Sequence, residues 1–420
     1  MAQTPKKLRI GIVGGGLGGL MTAISINHFC GPDKAEINVY EQAQEYKEIG
    51  AGVSLGPNAA KLFREWGIFD EAWAIASKPD VWLTIRRYDN GGEILTIKSN
   101  PEAPHLHVHR AELLNLLIRI VKERKAATLH NSKKCISIEE HGETEVITFA
   151  DGESVEMDLV VGADGIHSRV RRPFLTDGPQ YGGMIVYRGV CAVSQLKAWW
   201  PFDSYACLWT GPGKYFLMYP ISNGTMVNIG AFITVEKNDV GDTTESWTMK
   251  GDKSDIAKYF SDWDPTINHV VQFLDDKPLR WVLHDRDLCH QWVFAGGKVV
   301  LLGDAAHAMV PHQGAGAGQA VEDSYILGKC LGDFLKESRS HSMEEWLTHV
   351  YEAVRLPRAQ QVQTTSRENG NNFHFRGDDF KDLSYEAAIS VLRNKLSRRL
   401  DWIWSSELDV LYDRAVQNLV

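Results

Sequence analysis

Short apolar runs that end abruptly at a glycine or a carboxylate occur at three widely separated points of the chain. Leu8 to Val13 leads into a glycine cluster, Leu159 to Val161 leads into Gly162-Ala163-Asp164, and Val299 to Leu302 leads into Gly303-Asp304. The run from Val299 to Leu302 is continuous, which is typical of a strand buried on both faces. The pattern therefore predicts three strands, two of which end at a carboxylate.

Alternation of apolar and polar positions marks a different part of the chain. It runs from Val81 to Ile97, where Asn90-Gly91 supplies a hairpin turn. The same alternation returns at Tyr205 to Thr210, Tyr215 to Tyr219 and Met226 to Ile233. A period of two predicts half-buried strands of a second, sheet-rich region. After residue 304 the pattern is helical to the end of the chain.

The glycine cluster after the first strand has the spacing of a dinucleotide-binding turn. Gly14, Gly16 and Gly19 satisfy G-x-G-x-x-G between a strand and a helix, and Glu41 ends the next strand 22 residues later (41 − 19 = 22). In such a unit the first glycine shapes the turn, the second admits a diphosphate, and the third lets the helix pack closely on the strand. The acidic residue binds ribose hydroxyls and disfavours a 2′-phosphate. We therefore predict nucleotide binding.

Two further glycine-rich segments offer bare main chain to a ligand. Gly50-Ala51-Gly52 can bring backbone against a flat ring, and Gly314 to Gly318 precedes a helix whose N–H groups suit a polar or anionic ligand. The alternative for the second segment is an ordinary strand-loop-helix connection. A basic cluster follows Asp164, and we interpret it as a solvated helix face rather than a phosphate site. It consists of Arg169, Arg171 and Arg172.

Composition excludes several classes of partner. The 420 residues are 44% hydrophobic and carry a formal charge of −9 with no long basic run, which argues against nucleic acid or an anionic membrane. Six scattered cysteines without a C-x-x-C pair predict neither disulfides nor a zinc site, and a cytoplasmic, reducing location is expected. His307 has no second ligand at a suitable spacing, so no metal site is predicted. No segment reaches the roughly 18 apolar residues of a membrane-spanning helix. A small-molecule ligand is the remaining class of partner, and the oligomeric state stays open.

Three motifs in this order resemble one enzyme family. GIVGGGLGGL with Glu41, VVGADGIHSRVRR, and VVLLGDAAHAMVPHQGAGAGQAVED closely resemble the single-component FAD-dependent aromatic hydroxylases. Within that family, PHQGAGAGQ, GAGVSLGPNA and the late DWIWSSELD are most similar to the salicylate hydroxylase branch. The similarity spans nearly the whole chain.

These patterns and the resemblance predict an α/β fold with an α+β second domain. A Rossmann-type FAD-binding domain is interleaved with a sheet-rich substrate domain, and C-terminal helices follow. The FAD-binding domain is assigned to residues 1–80, 102–180 and 285–370, the substrate domain to residues 81–101 and 181–284, and the C-terminal helical segment to residues 371–420.

The resemblance also implies which residues hold FAD. Gly14, Gly16 and Leu17 would lie at the diphosphate, with Gly19 supporting the turn, and Glu41 at the adenosine ribose. The flavin half would be held by backbone of Gly52 and Val53, by Arg110 alongside the cofactor, by Asp304 at the ribityl chain or diphosphate, and by N–H groups of Gly316 and Ala317. Asp164 belongs to a motif linked in this family to both FAD and NAD(P)H. For Arg110, spacing alone leaves a solvated helix-face arginine as the alternative.

The implied reaction is hydroxylation of a small phenolic acid, salicylate-like, with or without decarboxylation. It would use NADH or NADPH and O2 through a C4a-hydroperoxyflavin, and the sequence does not distinguish the two nicotinamides. The alternatives are the same chemistry on a larger natural-product phenol, and another flavin-dependent oxidoreduction.

Three side chains are candidates for catalysis. His312, two residues before Gly314, is the candidate base or proton relay, because an imidazole titrates near neutral pH. Arg188 is the candidate partner of a phenolate or carboxylate, and Tyr219 a hydrogen-bond donor from the substrate sheet. The alternative for each is ordinary structural use; for His312 this means packing the loop or capping a carbonyl.

Overall fold

Eighteen strands and fourteen helices are seen in the computed structural model, which describes residues 7–46, 52–241, 249–337 and 340–419. The strands are β1 (Leu8–Val13), β2 (Ala35–Tyr40), β3 (Gly52–Leu55), β4 (Val81–Arg87), β5 (Glu93–Lys98), β6 (Leu106–His109), β7 (Thr128–His130), β8 (Cys135–His141), β9 (Thr144–Phe149), β10 (Ser154–Met157), β11 (Leu159–Gly162), β12 (Gln180–Ala192), β13 (Cys207–Gly211), β14 (Lys214–Ile221), β15 (Met226–Thr234), β16 (Leu279–Asp285), β17 (Val293–Phe294) and β18 (Val299–Leu301).

The helices are α1 (Leu17–Cys30), α2 (Pro57–Glu65), α3 (Phe69–Ile75), α4 (Arg110–Glu123), α5 (Val193–Leu196), α6 (Lys253–Tyr259), α7 (Pro265–Val271), α8 (Asp304–His307), α9 (Gly316–Phe334), α10 (Met343–Trp346), α11 (Ala353–Phe373), α12 (Tyr385–Leu396), α13 (Asp401–Trp404) and α14 (Leu408–Leu419). A π-helical turn, Leu347–Glu352, joins α10 to α11. In the described part of the chain, no helix combines the length and apolarity needed to cross a membrane.

The three apolar runs form neighbouring strands of one sheet. Its order is β17-β18-β11-β1-β2-β7, and β18, β11, β1, β2 and β7 run parallel. Because parallel strands end at the same edge, Glu41, Asp164 and Asp304 follow their strands at one side of the sheet. Helices α1 and α9 pack against each other, with the Thr22 and Ser324 hydroxyls 2.9 Å apart. The predicted α/β architecture is confirmed.

The alternating segments form a second, seven-stranded sheet in the order β16-β12-β15-β14-β13-β4-β5. All its pairs are antiparallel except β13 with β4. One face packs on α6 and α7 through Trp209, Phe216 and Phe260, and the other packs on the end of α11 and on α12 through Tyr215 and Phe373. The strands come from residues 81–98 and 180–285, while the full division of the chain into domains stays a prediction.

A two-stranded ribbon, β3 paired with β6, lies between the two sheets. Its register sets Gly52 opposite His109 and Ser54 opposite His107. Leu106 and Val108 on one side of the ribbon are completely buried in the core of the parallel-sheet region. At the end that faces the second sheet, the Gly52 N–H donates to Asn228 Oδ1 at 2.7 Å. The ribbon therefore connects the glycine-rich segment that precedes it to the sheet-rich region.

Candidate functional site

The first glycine loop leaves an open space at the start of α1. A Cβ added at Gly14 (φ 109°) would lie 2.3 Å from the Ala163 carbonyl oxygen, and one added at Gly19 would lie 1.9 Å from the Gly14 carbonyl oxygen. A Cβ at Gly16 would meet nothing within 4 Å. Helix α1 begins at Leu17 without a side-chain cap, so its first N–H groups face this space. The space fits a diphosphate that approaches the main chain.

Two carboxylates border that space. Glu41 accepts from the Gly15 N–H at 2.8 Å and the Ala43 N–H at 2.9 Å, which holds it beside the glycine loop. Asp164 Oδ2 accepts from the Arg169 N–H at 2.6 Å, while its Oδ1 is buried and has no partner among the described residues. Burial raises the pKa of Asp164 above its usual range, although hydrogen bonds to it oppose the rise. An orphaned acceptor here suits a ligand hydroxyl.

The third motif supplies a second helix N-terminus. Asp304 is exposed as the first residue of α8, directly after Gly303, whose N–H donates to Asp323 at 2.9 Å. Helix α9 begins at Gly316 without a side-chain cap, so the N–H groups of Gly316 and Ala317 lie in its first turn. These groups can hold the carbonyl end of a flavin, as the resemblance implies.

The ribbon and α4 form the other side of this region. Gly52 and Val53 lie in β3; the Gly52 N–H is used by Asn228, and a Cβ at Gly52 would lie 2.6 Å from the Tyr219 hydroxyl. Arg110 is half-buried at the first turn of α4, next to His109, the residue opposite Gly52. The predicted segment Gly50-Ala51 lies outside the described residues. The structure thus brings Gly52, Val53 and Arg110 together, with Tyr219 against them.

Arg188 and Tyr219 occupy the same face of the seven-stranded sheet. Tyr219 on β14 pairs with Asn228, and Arg188 on β12 pairs with Gly230 two positions along the same strand, β15. Burial raises the pKa of Tyr219 to about 12, and the Arg188 guanidinium opposes that rise. The guanidinium also lies 5.4 Å from the ring centroid of Trp281. A positive charge and a phenolic donor therefore face the ribbon from the sheet.

The packing of His312 argues against its predicted role as the base. Its Nδ1 lies 2.8 Å from the Tyr215 hydroxyl, and its carbonyl oxygen accepts from Asn369 at 2.7 Å. Burial lowers the pKa of His312 to about 3, so the ring is uncharged and a weak proton acceptor at neutral pH. A Cβ on Gly370 of α11 would lie 2.5 Å from the ring. His312 joins the loop to β14 and α11, which is the structural alternative.

We expect His312→Gln to lower the free energy of unfolding by about 1–3 kcal/mol, because the Tyr215 hydroxyl loses a buried partner. The pH profile of turnover should keep its shape, since the imidazole does not titrate near neutral pH. Chemical denaturation and a pH series of NAD(P)H oxidation measure the two quantities. If the fall in turnover at low pH is present in the native enzyme and absent from the His312→Gln variant, His312 is the base.

The basic cluster is not uniformly solvated, which corrects part of the sequence interpretation. Arg169 and Arg172 are exposed, but Arg171 is only 2% exposed. Its guanidinium donates to the carbonyl oxygens of Ala305 and Ala306 in α8 and forms an ion pair with Asp177 at 2.8 Å. No sequence pattern indicated this burial, because the carbonyl partners Ala305 and Ala306 lie over a hundred residues away from Arg171. Arg171 supports the short helix that begins at Asp304.

A buried ion cluster beneath the third motif was missed entirely. Arg355 donates to Asp323 at 2.8 Å and pairs with Glu322, and all three side chains are completely buried. Arg358 also donates to Glu322 and to the carbonyl oxygen of Ile403 in α13. The cluster extends to His307 Nε2, 2.6 Å from Asp323, and to Asn58 Nδ2, which donates to Glu322. The sequence feature that could have revealed this cluster is the presence of charged residues at core-facing positions of α9 and α11.

A small pocket opens between the ribbon, the loop before α9 and α13. Its lining comprises Ser54, Gly56, Asn58, Trp82, His105, Gln313, Gly314, Ala315, Gly318, Leu400, Ile403 and Trp404. None of these side chains is charged. In the described ranges, no group of three or more His, Cys, Asp or Glu side chains is arranged to hold a metal ion.

Comparison with known proteins gives a consistent result. The family described as FAD binding domain matches residues 7–366. A salicylate hydroxylase from Pseudomonas putida is 32% identical over 96% of this chain and 93% of its own length, and a 6-hydroxynicotinate 3-monooxygenase from Pseudomonas fluorescens is 32% identical over 88% and 92%. The solved structure of a salicylate hydroxylase substrate complex superimposes with a TM-score of 0.82 at 27% identity, covering 97% of this chain and 98% of the other.

Proposed function

Because the chain belongs to the family of FAD-dependent monooxygenases that hydroxylate aromatic rings, we propose that its substrate is a small phenolic acid of the salicylate type. NADH or NADPH and O2 are the proposed co-substrates. The observation that carries the substrate proposal is the placement of Arg188 and Tyr219 on one sheet face, against the ribbon at Gly52. The relatives named for salicylate and 6-hydroxynicotinate support a ring that carries both a hydroxyl and a carboxyl group.

The residues that hold FAD in this proposal lie at the carboxyl edge of the parallel sheet and in the neighbouring ribbon and α4. The diphosphate and ribose are bound at Gly14, Gly16, Leu17 and Glu41, with Gly19 keeping the turn closed. Asp164, Asp304, Arg110, the backbone of Gly52 and Val53, and the N–H groups of Gly316 and Ala317 hold the remainder. When bound and reduced by a nicotinamide, FAD activates O2 for transfer of one oxygen atom to the ring.

Arg188 and Tyr219 prepare the substrate in two different ways. The positive charge of Arg188 stabilises a phenolate or carboxylate beside it, as it favours the anionic form of Tyr219. A phenolate ring is richer in electrons and therefore more reactive towards an electrophilic oxygen. Tyr219 stays protonated at neutral pH and donates a hydrogen bond to a substrate oxygen, which fixes the ring's orientation. If the carboxyl group neighbours the hydroxyl, attack at the carboxyl-bearing carbon releases CO2.

A panel of rings tests this function on the purified, FAD-loaded protein. We expect salicylate to accelerate oxidation of NADH or NADPH by about tenfold or more, because substrate binding completes the site. O2 uptake should match the formation of hydroxylated product, with CO2 release if decarboxylation accompanies it. Benzoate, which lacks the hydroxyl, should at most release peroxide without product. Equal, substrate-independent oxidation with every acid would refute the proposal, and acceleration only by a larger phenol would replace it with the natural-product alternative.

A further inference from the structure

Two histidines, His107 in β6 and His105 directly before that strand, are buried without hydrogen-bond partners among the described residues. His105 is 7% exposed and His107 is 3% exposed, and no described residue lies within hydrogen-bonding reach of any of their four ring nitrogens. Burial lowers the pKa of His107 to about 4 and that of His105 well below its usual value, so both rings are uncharged. Buried polar atoms of native proteins are almost always paired, because each unpaired one costs free energy. Four orphaned nitrogens on two histidines at the start of one strand therefore point to a ligand.

The pleat of the ribbon directs the His107 ring away from the core, and the His105 ring, directly before β6, lies 6.1 Å from it. Leu106 and Val108 lie on the opposite side of β6 and fill the core. The His107 ring centroid lies 5.2 Å from that of Tyr219, on the seven-stranded sheet, and Ser54 of β3 lies opposite it. His107 thus faces the same crevice as Tyr219 and Arg188.

His105 has aromatic walls on two sides. Its ring stacks on Trp82 at 5.2 Å and meets Trp404 edge-on at 4.5 Å. It shares the small uncharged pocket with Gln313, in the loop that precedes α9. Trp82 Nε1 and Gln313 Nε2 also lack a partner among the described residues. Uncharged donors and acceptors bordered by aromatic rings suit the polar edge of an aromatic ligand.

We propose that His105 and His107 bind the hydroxyl and carboxyl oxygens of the aromatic substrate and so determine which ring isomers the enzyme accepts. This inference rests on the proposed function and deepens it. A neutral imidazole presents one donor and one acceptor, so it can satisfy a hydroxyl group that both gives and receives a hydrogen bond. Arg188 supplies the charge that the two rings lack. The histidines act as specificity-determining residues, and an analogue without the hydroxyl leaves a buried nitrogen unpaired.

The test replaces each histidine with phenylalanine in the FAD-loaded enzyme. Phenylalanine keeps a ring against Tyr219, Trp82 and Trp404 but removes the nitrogens. We expect unchanged FAD content and an unchanged or higher melting temperature. The substitution removes buried ring nitrogens that have no protein partner, and burying such atoms costs free energy. Titration of the flavin absorbance with salicylate should show a dissociation constant raised about 10- to 100-fold. His107→Gln, which restores a donor and an acceptor, should recover part of this loss.

Benzoate and His269→Phe are the matched controls. For the histidine that binds the hydroxyl, the preference for salicylate over benzoate should collapse, whereas a merely structural role would leave that ratio intact. His269 stacks on Trp199 at 3.8 Å on α7, across the seven-stranded sheet, and its replacement should leave the salicylate affinity unchanged.

The outcomes separate this inference from the function on which it rests. Native salicylate affinity in both phenylalanine variants would overturn the inference and leave the proposed function standing. Loss of FAD from both variants would also overturn it, because the histidines would then serve the cofactor. A native enzyme that binds neither salicylate nor any hydroxybenzoate isomer would overturn both proposals.

Discussion

Replacing Gly16 with alanine should give a folded protein that no longer retains FAD. The added methyl group meets no protein atom within 4 Å, so it strains neither the loop nor α1. It does occupy the space in which a diphosphate would contact the uncapped N–H groups at the start of the helix. Losing two such charge-assisted hydrogen bonds, at about 1.5 kcal/mol each, weakens cofactor binding by about 100-fold or more.

The measurement is the flavin content per chain after gel filtration, with far-ultraviolet circular dichroism as the test of folding. Gly178→Ala is the matched control: it too adds a methyl group in open space, but in an exposed segment away from the loop, and should stay yellow. Gly19→Ala is the opposite case, because its methyl group would collide with the Gly14 carbonyl and disturb the fold itself. A Gly16→Ala protein with a full complement of FAD would show that the diphosphate does not lie at this loop.

The second large effect is expected from Arg355→Met. The substitution leaves Asp323 and Glu322, both completely buried, without the guanidinium that lies between them. Removing one partner of a buried ion pair destabilises a protein by about 3–5 kcal/mol. Here the two carboxylates are shielded from water and keep only Arg358 and His307 as partners. Denaturation of the FAD-loaded protein measures the loss. Arg398→Met removes an exposed ion pair with Asp401 and should change nothing measurable.

The same cluster sets an acid limit to stability. Burial opposes the ionisation of Asp323, but the neighbouring His307 and Arg355 prevail and lower its pKa to about 2. Since the folded pKa is below the unfolded value of about 3.9, the stability that this carboxylate contributes is present above pH 4 or so and is lost as the pH falls towards 2. In Arg355→Met the pKa of Asp323 should rise, so that this loss begins at a higher pH. A variant with native stability and native acid dependence would mean that the cluster contributes nothing net.

The fold was largely readable from local patterns. The apolar runs at residues 8, 159 and 299, the glycine loop with Glu41, and the turn at Asn90-Gly91 are each specified by residues close in sequence, and each lies where it was predicted. The thirteen-residue strand β12 was not predicted as one element. It shifts register between Tyr181 and Ile185, at Gly182-Gly183, which interrupts its alternation.

The candidate site was readable only where the motif is made by backbone. Glycines and strand-end carboxylates act through local backbone geometry, which the neighbouring sequence determines. The role of a side chain such as His312 depends instead on partners in β14 and α11, which sequence spacing does not reveal. The same limitation applies to Arg171, whose carbonyl partners belong to α8. It also applies to His105 and His107, which are ordinary polar residues in the sequence and become distinctive only because the ribbon lies between two sheets. Which FAD-contacting residues act as predicted stays a prediction.

The wide separation of β1, β11 and β18 along the chain affects how the enzyme is made. These strands lie side by side, yet they end at residues 13, 162 and 301. At a translation rate of about 5–20 residues per second, about 15–60 s pass between synthesis of the first and the last of them. Until β18 leaves the ribosome, the nascent sheet has an unpaired edge at β11, which can pair with strands of other chains. The proposed FAD contacts that follow β18, Asp304, Gly316 and Ala317, are also missing during that time. FAD is therefore bound late in synthesis, and chains truncated before β18 lack part of its proposed site.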